Sequence, residues 1–291
     1  VYQVPLAPLA MHSLISGDAQ ALSAWAAGLD RTLGALGPGA QASFFNFTAS
    51  HDGIGVMPAR GLLAEEEIQK LVDATLAHGG RVSYKTNPDG SRSVYELNIS
   101  YFDALSDPAA DEPRETQVAR FVVSQAIMLA LAGVPGIYVH SLLGSRSWQE
   151  GVRLTGHNRS INREKLERTT LEQELADPRS VRHQVFAAYR RLLQARGSDP
   201  ALHPYGAQEV LRLGKAIFAL LRTSPDGQSQ VLCLHNVSGQ SQPVQLRPEL
   251  LPTQPDPQQA WHDLLSGKRY PLNQGDISFE LPPYAVRWLQ I

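Results

Sequence analysis

The sequence predicts an α/β domain followed by an all-β domain, and two patterns lead to this prediction. Over residues 1–200, apolar runs of strand length alternate with longer segments of helical periodicity, as in repeated βα units. Over residues 201–291, the pattern changes to short alternating runs separated by Pro, Gly, Asn and Asp, which is typical of an antiparallel β-sandwich. We therefore expect a domain boundary near residue 200.

Three strand units predict the framework of the first domain. Residues 1–15 are predicted to form a short strand and a loop. A helix that begins near Gly17 separates them from the second strand, Phe44–Phe47. The long helix Glu115–Ala132 then leads into a third strand, Ile137–His140. This order is that of an α/β barrel. Since three units cannot close an eight-stranded (β/α)8 barrel, we expect the other strands to precede this sequence.

Residues 56–113 are predicted to form a lid-like insertion, because the segment is too long for an ordinary βα loop. Within it, Glu65–Leu76 has the pattern of a short amphipathic helix, and a hairpin is expected around the turn Asn87–Gly90. A loop from Ser141 to about Arg168 and a last long helix, Arg179–Ala195, complete the predicted first domain.

Composition argues against several classes of function. Lys and Arg total 26 against 28 for Asp and Glu, so no basic excess favours nucleic acid. The apolar stretch 121–139 is interrupted by polar residues, so no membrane span is expected. Cys233 is the single cysteine, which fits a reducing cytoplasm. No metal-ligand spacing, phosphate-binding glycine loop or serine elbow is present, and we expect neither a metal nor a cofactor.

His51 and Asp52 are the strongest candidates for chemistry. They follow the apolar run Phe44–Phe47 and precede the glycine-broken stretch Gly53–Gly55. A carboxylate at the carboxyl end of a barrel strand is where such enzymes place catalytic groups. An Asp-Gly pair is also typical of a plain turn, in which the side chain bonds its own backbone.

Several motifs together resemble the α-amylase superfamily, glycoside hydrolase family 13, in its sucrose phosphorylase-like branch. Residues 44–55, FFNFTASHDGIG, resemble the seventh-strand motif of that family. Residues 1–9 are similar to its sixth strand, 133–138 to its eighth strand and 156–163, GHNRSINR, to its eighth loop. The resemblance covers essentially the whole chain. It implies the carboxyl-terminal part of a TIM barrel, strands 6 to 8, followed by an all-β domain.

The resemblance implies an α-glucoside phosphorylase that works by a retaining double displacement and releases α-glucose 1-phosphate. Inorganic phosphate would be the co-substrate. Asp52 would stabilise the oxocarbenium-like transition state, and His51 would donate a hydrogen bond to the same glucosyl unit. The nucleophile and the acid/base would precede Val1, so the 291-residue chain alone is expected to be inactive.

The acceptor side offers further candidates. Arg159 resembles the eighth-loop arginine that reaches the acceptor subsite, and a guanidinium suits phosphate. Tyr95, Glu96 and Asn98 resemble the mobile seventh-loop segment that shapes this subsite, although hairpin packing would also account for Tyr95. A salt bridge that holds the loop together is the alternative for Arg159 and the simpler explanation for Arg163.

Segments 95–98 and 140–146 look closer to the branch that acts on glucosylglycerate or phosphorylated sucrose. Arg146 adds a cation that an anionic acceptor could use, and an ion pair explains it equally well. Two other functions stay open at this point: an α-amylase-family hydrolase or transglucosidase, and a non-catalytic sugar-binding fragment. The acceptor loops distinguish the first of these from a phosphorylase, because the glucosyl intermediate is common to both.

Overall fold

The computed structural model describes residues 1–29, 42–246, 260–271 and 277–291. Its helices are α1 (Leu6–Ser16), α2 (Gln20–Ala26), α3 (Glu65–Ala77), α4 (Tyr101–Leu105), α5 (Arg114–Ala130), α6 (Val139–Leu142), α7 (Gln149–Thr155), α8 (Arg168–Ala176) and α9 (Val181–Ser198). The strands of the first domain are β1 (Phe45–Asn46), β2 (Ile54–Gly55), β3 (Arg81–Thr86), β4 (Arg92–Asn98) and β5 (Val134–Pro135). Those of the second are β6 (Ala207–Leu211), β7 (Ile217–Thr223), β8 (Gln230–Asn236), β9 (Gln242–Leu246), β10 (Trp261–Asp263), β11 (Arg269–Tyr270), β12 (Ile277–Leu281) and β13 (Val286–Gln290).

Three parallel segments lie side by side in chain order. Tyr2 forms a parallel bridge with Phe45, and β1 pairs in parallel with β5 through Phe45–Val134 and Asn46–Pro135. Gly136 is required beside this pairing, because a Cβ there would lie 2.4 Å from the Phe45 ring. Parallel neighbours bring their carboxyl ends to one edge, so the loops after β1 and β5 meet there.

The prediction of a strand and loop over residues 1–15 is wrong, because all but the first few residues form helix α1. Helix α1 begins directly after Pro5 and contains Pro8 in its first turn. A proline in the first turn of a helix is tolerated, since the amide it lacks would have no partner inside the helix. Gly17 ends α1 in the left-handed conformation, with φ of 69°.

The third predicted strand, Ile137–His140, is also misplaced. The parallel pairing is made earlier, by Val134–Pro135, and the chain turns into the short helix α6 at Val139. The apolar run Ile137–Val139 has the composition of a strand. Pairing depends on where the neighbouring strand ends, and a local pattern does not contain that information.

The segment between β1 and α5 contains the predicted helix and hairpin. Helix α3 packs against a three-stranded sheet of order β2-β4-β3. Strand β2 pairs antiparallel with β4 through Ile54–Leu97 and Gly55–Glu96. Ile54 and Gly55, which begin two residues after Asp52, are therefore part of the same sheet as Glu96.

The predicted loop 141–168 contains helix α7 and ends at α8, neither of which was predicted. Glu167 caps α8 by accepting hydrogen bonds from the amides of Thr169 at 2.9 Å and Thr170 at 2.7 Å. These backbone hydrogen bonds lower the pKa of Glu167 to about 2. Glutamate is an uncommon N-cap residue, and its sequence signal is correspondingly weak.

The carboxyl-terminal domain is all-β, as predicted. A six-stranded sheet of order β11-β10-β13-β8-β7-β6 packs against the two-stranded sheet β12-β9. Alternate residues of β7 face opposite sides: Ala219 and Leu221 enter the core between the sheets, whereas Phe218 and Leu220 pack against the first domain. The short strands β10 and β11 were not predicted. Within the described ranges, no helix is long and apolar enough to cross a membrane.

The buried Arg222 joins the two domains. It lies on β7 and donates hydrogen bonds to main-chain carbonyls on both sides, among them His203 at 2.8 Å and Ala130 at 2.5 Å. Ala130 is the last residue of α5, where carbonyl groups lack partners within the helix. The guanidinium therefore caps the helix that leads into β5.

Candidate active site

The carboxyl edge of the parallel segments brings His51-Asp52 next to strand β4. Gly53 permits the approach: a Cβ at this position would lie 2.4 Å from the Leu97 carbonyl oxygen and 2.6 Å from Glu96 Cγ. A side chain at residue 53 would therefore push β4 away. The glycine of the Asp-Gly pair is needed here for close packing, and the main chain carries Asp52 directly past Glu96.

Asp52 is held by two arginines from the segment after α7. Its Oδ1 lies 3.0 Å from Nη1 of Arg159 and 3.1 Å from Nη2 of Arg163. The Asn162 side-chain amide also donates to the main-chain carbonyl of Asp52 at 2.8 Å. Asp52 is thus a carboxylate with two fixed cationic partners.

Glu96 approaches Arg159 from the opposite side. Nε of Arg159 donates to Oε1 at 3.1 Å and Nη2 donates to Oε2 at 2.7 Å, which is a bidentate ion pair. These hydrogen bonds raise the pKa of Arg159. Glu96 is only 4% exposed, and a buried carboxylate needs hydrogen-bond partners of this kind. Asn98 is fully buried and donates to Glu96, and its own side-chain oxygen accepts from Ser83 at 2.6 Å.

A β-bulge places Tyr95 beside this cluster. Ser83 pairs with Glu96 and Tyr84 pairs with Val94, so Tyr95 is the extra residue of β4. Bulges redirect side chains and occur often beside active sites. Tyr95 is half-exposed and interacts electrostatically with Arg159.

Arg159 is therefore the centre of the cluster, between the carboxylates of Asp52 and Glu96. Arg163 supplies a second positive charge, so two carboxylates face two guanidinium groups. The side chain of Arg159 is still 41% exposed. It lines an open cavity of about 510 Å³ with Ser83, Gly156, His157, Asn158 and Arg163. A ligand in this cavity would contact cations whose charges are already balanced by protein groups.

The structure brings Asp52, Glu96, Asn98 and Arg159 into one connected set. His51 is less fixed: its side chain is 69% exposed and its Nε2 lies 3.5 Å from Asp52 Oδ1. Its main-chain carbonyl accepts a hydrogen bond from Nε of Arg163 at 2.8 Å. The roles predicted for these residues toward a sugar or phosphate stay predictions.

Arg163 was expected to form a salt bridge, and its partner is Asp52, the strongest candidate for chemistry.

Tyr138 was not proposed as a site residue, yet its hydroxyl donates a hydrogen bond to the Asn162 carbonyl at 2.5 Å. Burial raises the pKa of Tyr138. Tyr138 lies just after β5, at the edge where the loops meet, and this position could have identified it as a site residue from the sequence. His140, also at this edge, bonds to Ser145 at 2.9 Å, and burial lowers its pKa.

No group of three His, Cys, Asp or Glu side chains that could hold a metal ion occurs in the part of the chain that the structure describes. The expectation of an enzyme without a metal or cofactor stays a prediction.

Comparisons with known proteins place this geometry in context. Residues 209–288 match the family described as "Maltogenic Amylase, C-terminal domain". Over 99% of its length the chain is 44% identical to the glucosylglycerate phosphorylase of Spirochaeta thermophila, of which it covers 48%. Over 84% of its length it is 46% identical to the glucosylglycerate phosphorylase of Allomeiothermus silvanus, of which it covers 42%. The chain thus spans less than half the length of these relatives.

The crystal structure of sucrose 6F-phosphate phosphorylase from Thermoanaerobacter thermosaccharolyticum aligns with a TM-score of 0.63 at 20% identity. The alignment covers 81% of this chain and 43% of that one. At this identity the likeness shows a shared fold.

Proposed function

Because the chain belongs to the sucrose phosphorylase-like branch of the α-amylase superfamily and corresponds to the carboxyl-terminal portion of its members, we propose that the full-length protein is an α-glucoside phosphorylase. It transfers a glucosyl unit to inorganic phosphate and releases α-glucose 1-phosphate. The observation that carries the proposal is the cluster in which Arg159 joins Asp52 to Glu96. The two relatives that are 44% and 46% identical are named glucosylglycerate phosphorylases, so glucosylglycerate is the proposed substrate.

In this proposal the reaction is a retaining double displacement. A carboxylate nucleophile attacks the anomeric carbon and displaces glycerate, to which the acid/base gives a proton, so that a glucosyl-enzyme intermediate forms. Phosphate then attacks the same carbon and displaces the enzyme carboxylate. The nucleophile and the acid/base are assigned to the part of the full-length protein that precedes Val1. Asp52 is the third carboxylate, which holds sugar hydroxyls and stabilises the positive charge that develops on the ring. His51 lies next to it and donates a hydrogen bond to the same ring.

Arg159 would bind the incoming phosphate. Its exposed face opens on the cavity that Arg163 and His157 also line. A guanidinium that already holds two carboxylates can exchange one of these contacts for a phosphate oxygen with little change in total charge. Glu96 and Asn98 lie buried behind Arg159, so they shape the acceptor site through the position that they give this arginine, and the half-exposed Tyr95 lies beside them. The polar side chains that line the cavity, among them Ser83 and Asn158, suit an acceptor rich in hydroxyl groups.

The barrel numbering belongs to this proposal. The segments at Tyr2, β1 and β5 correspond to the sixth, seventh and eighth strands of a (β/α)8 barrel, and residues 56–113 act as a lid. Their parallel order and the pairing of β2 with β4 support this assignment. Tyr2 and Phe45 are partly exposed and line an apolar cleft. We assign their cover to the amino-terminal part of the barrel, the expected partner of this chain. A cytoplasmic location, where Cys233 stays reduced, is also proposed.

The test is to incubate the full-length protein with glucosylglycerate, with and without inorganic phosphate, and to measure glucose 1-phosphate and free glucose. We expect glucose 1-phosphate only when phosphate is present. Release of glucose that does not depend on phosphate would instead identify a hydrolase. Residues 1–291 alone serve as the control and should release neither product. Turnover by this control would refute the assignment of the two missing carboxylates.

A further inference from the structure

The buried carboxylate of Asp103 connects the two loops that build the proposed site. Asp103 lies on α4, which follows the strand that carries Glu96, and it is 2% exposed. Its Oδ1 accepts a hydrogen bond from Nη1 of Arg146 at 2.8 Å, and its Oδ2 accepts one from the amide of Ser147 at 2.7 Å. Both partners lie on the loop that leads to Arg159.

Hydrogen bonds hold Ser147 and its neighbour Trp148 to two different segments. The Oγ of Ser147 accepts a hydrogen bond from the amide of Ser100 at 3.0 Å, close to the end of β4. The next amide, that of Trp148, donates to the carbonyl of Ile161 at 2.9 Å. Ile161 belongs to the 3-10 turn Asn158–Asn162, which carries Arg159. Two hydrogen bonds, made by the amides of the adjacent residues Ser147 and Trp148, therefore link Asp103 to the turn that holds Arg159.

Arg146 is engaged from three directions. Besides Asp103, it donates to Oε1 of Gln117 at 2.6 Å, and its guanidinium lies 4.6 Å from the centre of the Phe102 ring. Gln117 is on the long helix α5, so the contact ties the loop to the barrel framework. These contacts favour the ion-pair reading of Arg146 over a direct contact with an anionic acceptor.

We propose that Asp103 is a positioning residue, which fixes the turn of Arg159 against Glu96 through Arg146 and Ser147. This inference rests on the proposed function, because it concerns the same site. The bidentate pair of Arg159 with Glu96 has lengths of 2.7 and 3.1 Å, so a displacement of about 1 Å would break at least one of the two bonds. A misplacement of that size can reduce kcat/KM by about 100-fold.

The test uses Asp103→Asn in the full-length protein. The asparagine oxygen can still accept from Arg146, whereas its NH2 group would face the Ser147 amide, donor against donor. We expect KM for phosphate to rise by about 10-fold to 100-fold, with a smaller change in kcat. We also expect the NMR signal of the Arg159 Nε–H group to shift or broaden in Asp103→Asn. This signal is assigned by its loss from the spectrum of Arg159→Lys.

Glu112→Gln is the matched control, since it removes a partly buried ion pair with Arg120 that does not involve Asp103. It should leave KM and the Arg159 signal unchanged. If Asp103→Asn lowers Tm but leaves both readouts at their wild-type values, Asp103 is only structural and the inference is wrong. If that variant does not fold, Arg146→Lys decides by the same two readouts. If the wild type shows no phosphorolysis, the proposed function fails, and the NMR comparison still tests Asp103.

Discussion

Replacing Gly53 by alanine should displace the strand that carries Glu96. The added Cβ would lie 2.4 Å from the carbonyl oxygen of Leu97, 2.6 Å from Cγ of Glu96 and 2.8 Å from Nδ2 of Asn98. Carbon and oxygen atoms rarely approach closer than about 3.3 Å, so β4 has to move by about 1 Å. Leu97 and Asn98 are fully buried, so neither can turn toward solvent to relieve the contact.

The expected cost has two parts. Overpacking of this kind lowers the free energy of unfolding by about 1–3 kcal/mol. The same displacement separates Glu96 from Arg159 and should reduce phosphorolysis by about 100-fold. Calorimetry of the full-length protein measures the first effect, and the release of glucose 1-phosphate at saturating and limiting phosphate measures the second.

Gly55→Ala is the matched control, because residue 55 lies two positions further along the same segment. A Cβ at Gly55 would meet nothing closer than Cδ of Pro58 at 4.0 Å. This variant should be close to neutral in both assays. The reasoning from close approach is refuted if the two variants have equal Tm values, or if Gly53→Ala keeps wild-type activity.

Three further predictions concern the site, the domain junction and pH. Asp52→Asn in the full-length protein should lower kcat by about 100-fold to 1000-fold, measured as glucose 1-phosphate release; activity within threefold of wild type would contradict its role. Arg222→Met should lower the free energy of unfolding by about 2–4 kcal/mol in denaturant titrations, because it leaves buried carbonyls without donors; the exposed Arg212→Met should not. Burial lowers the pKa of His235 from 6.5 to about 4. Between these two pH values the unfolded chain binds one more proton than the folded chain. The contribution of His235 to the free energy of unfolding is therefore fully present above pH 6.5, and it falls by about 1.4 kcal/mol per pH unit toward pH 4. His235→Gln should remove this slope in acid-unfolding measurements, and the half-buried His262→Gln should keep it.

Local periodicity was enough to predict several elements of the fold. The helix Arg114–Ala130, the hairpin Arg81–Thr86 with Arg92–Asn98 and the change to short strands after residue 201 all follow the sequence pattern closely. Each of these elements has a strong apolar periodicity or a turn signal of its own. Helix α1 and strand β5 were wrongly predicted, because the local pattern of residues 1–15 and the apolar run after Gly136 suggested conformations that tertiary contacts did not select.

The sequence was enough to predict which residues belong to the site. It was not enough to predict which of them contact one another. The motif around His51-Asp52 and the residue Arg159 could be recognised in the sequence. The sequence did not show that Arg159 binds both Asp52 and Glu96, or that Arg163 joins the same carboxylate. Arg163 was assigned to a salt bridge, and the structure shows that this salt bridge lies within the cluster.

By itself the sequence determined the family, the order of the two kinds of domain and the residue types available for chemistry, because motifs and periodicities are local properties of the chain. Only the tertiary structure decided which of these residues meet. The cluster of Asp52, Glu96 and Arg159 forms because Gly53 lets β4 pass close by, and because the loop after β5 folds back onto the same edge. Such contacts join residues far apart in the chain, so their energies depend on packing that no local pattern contains.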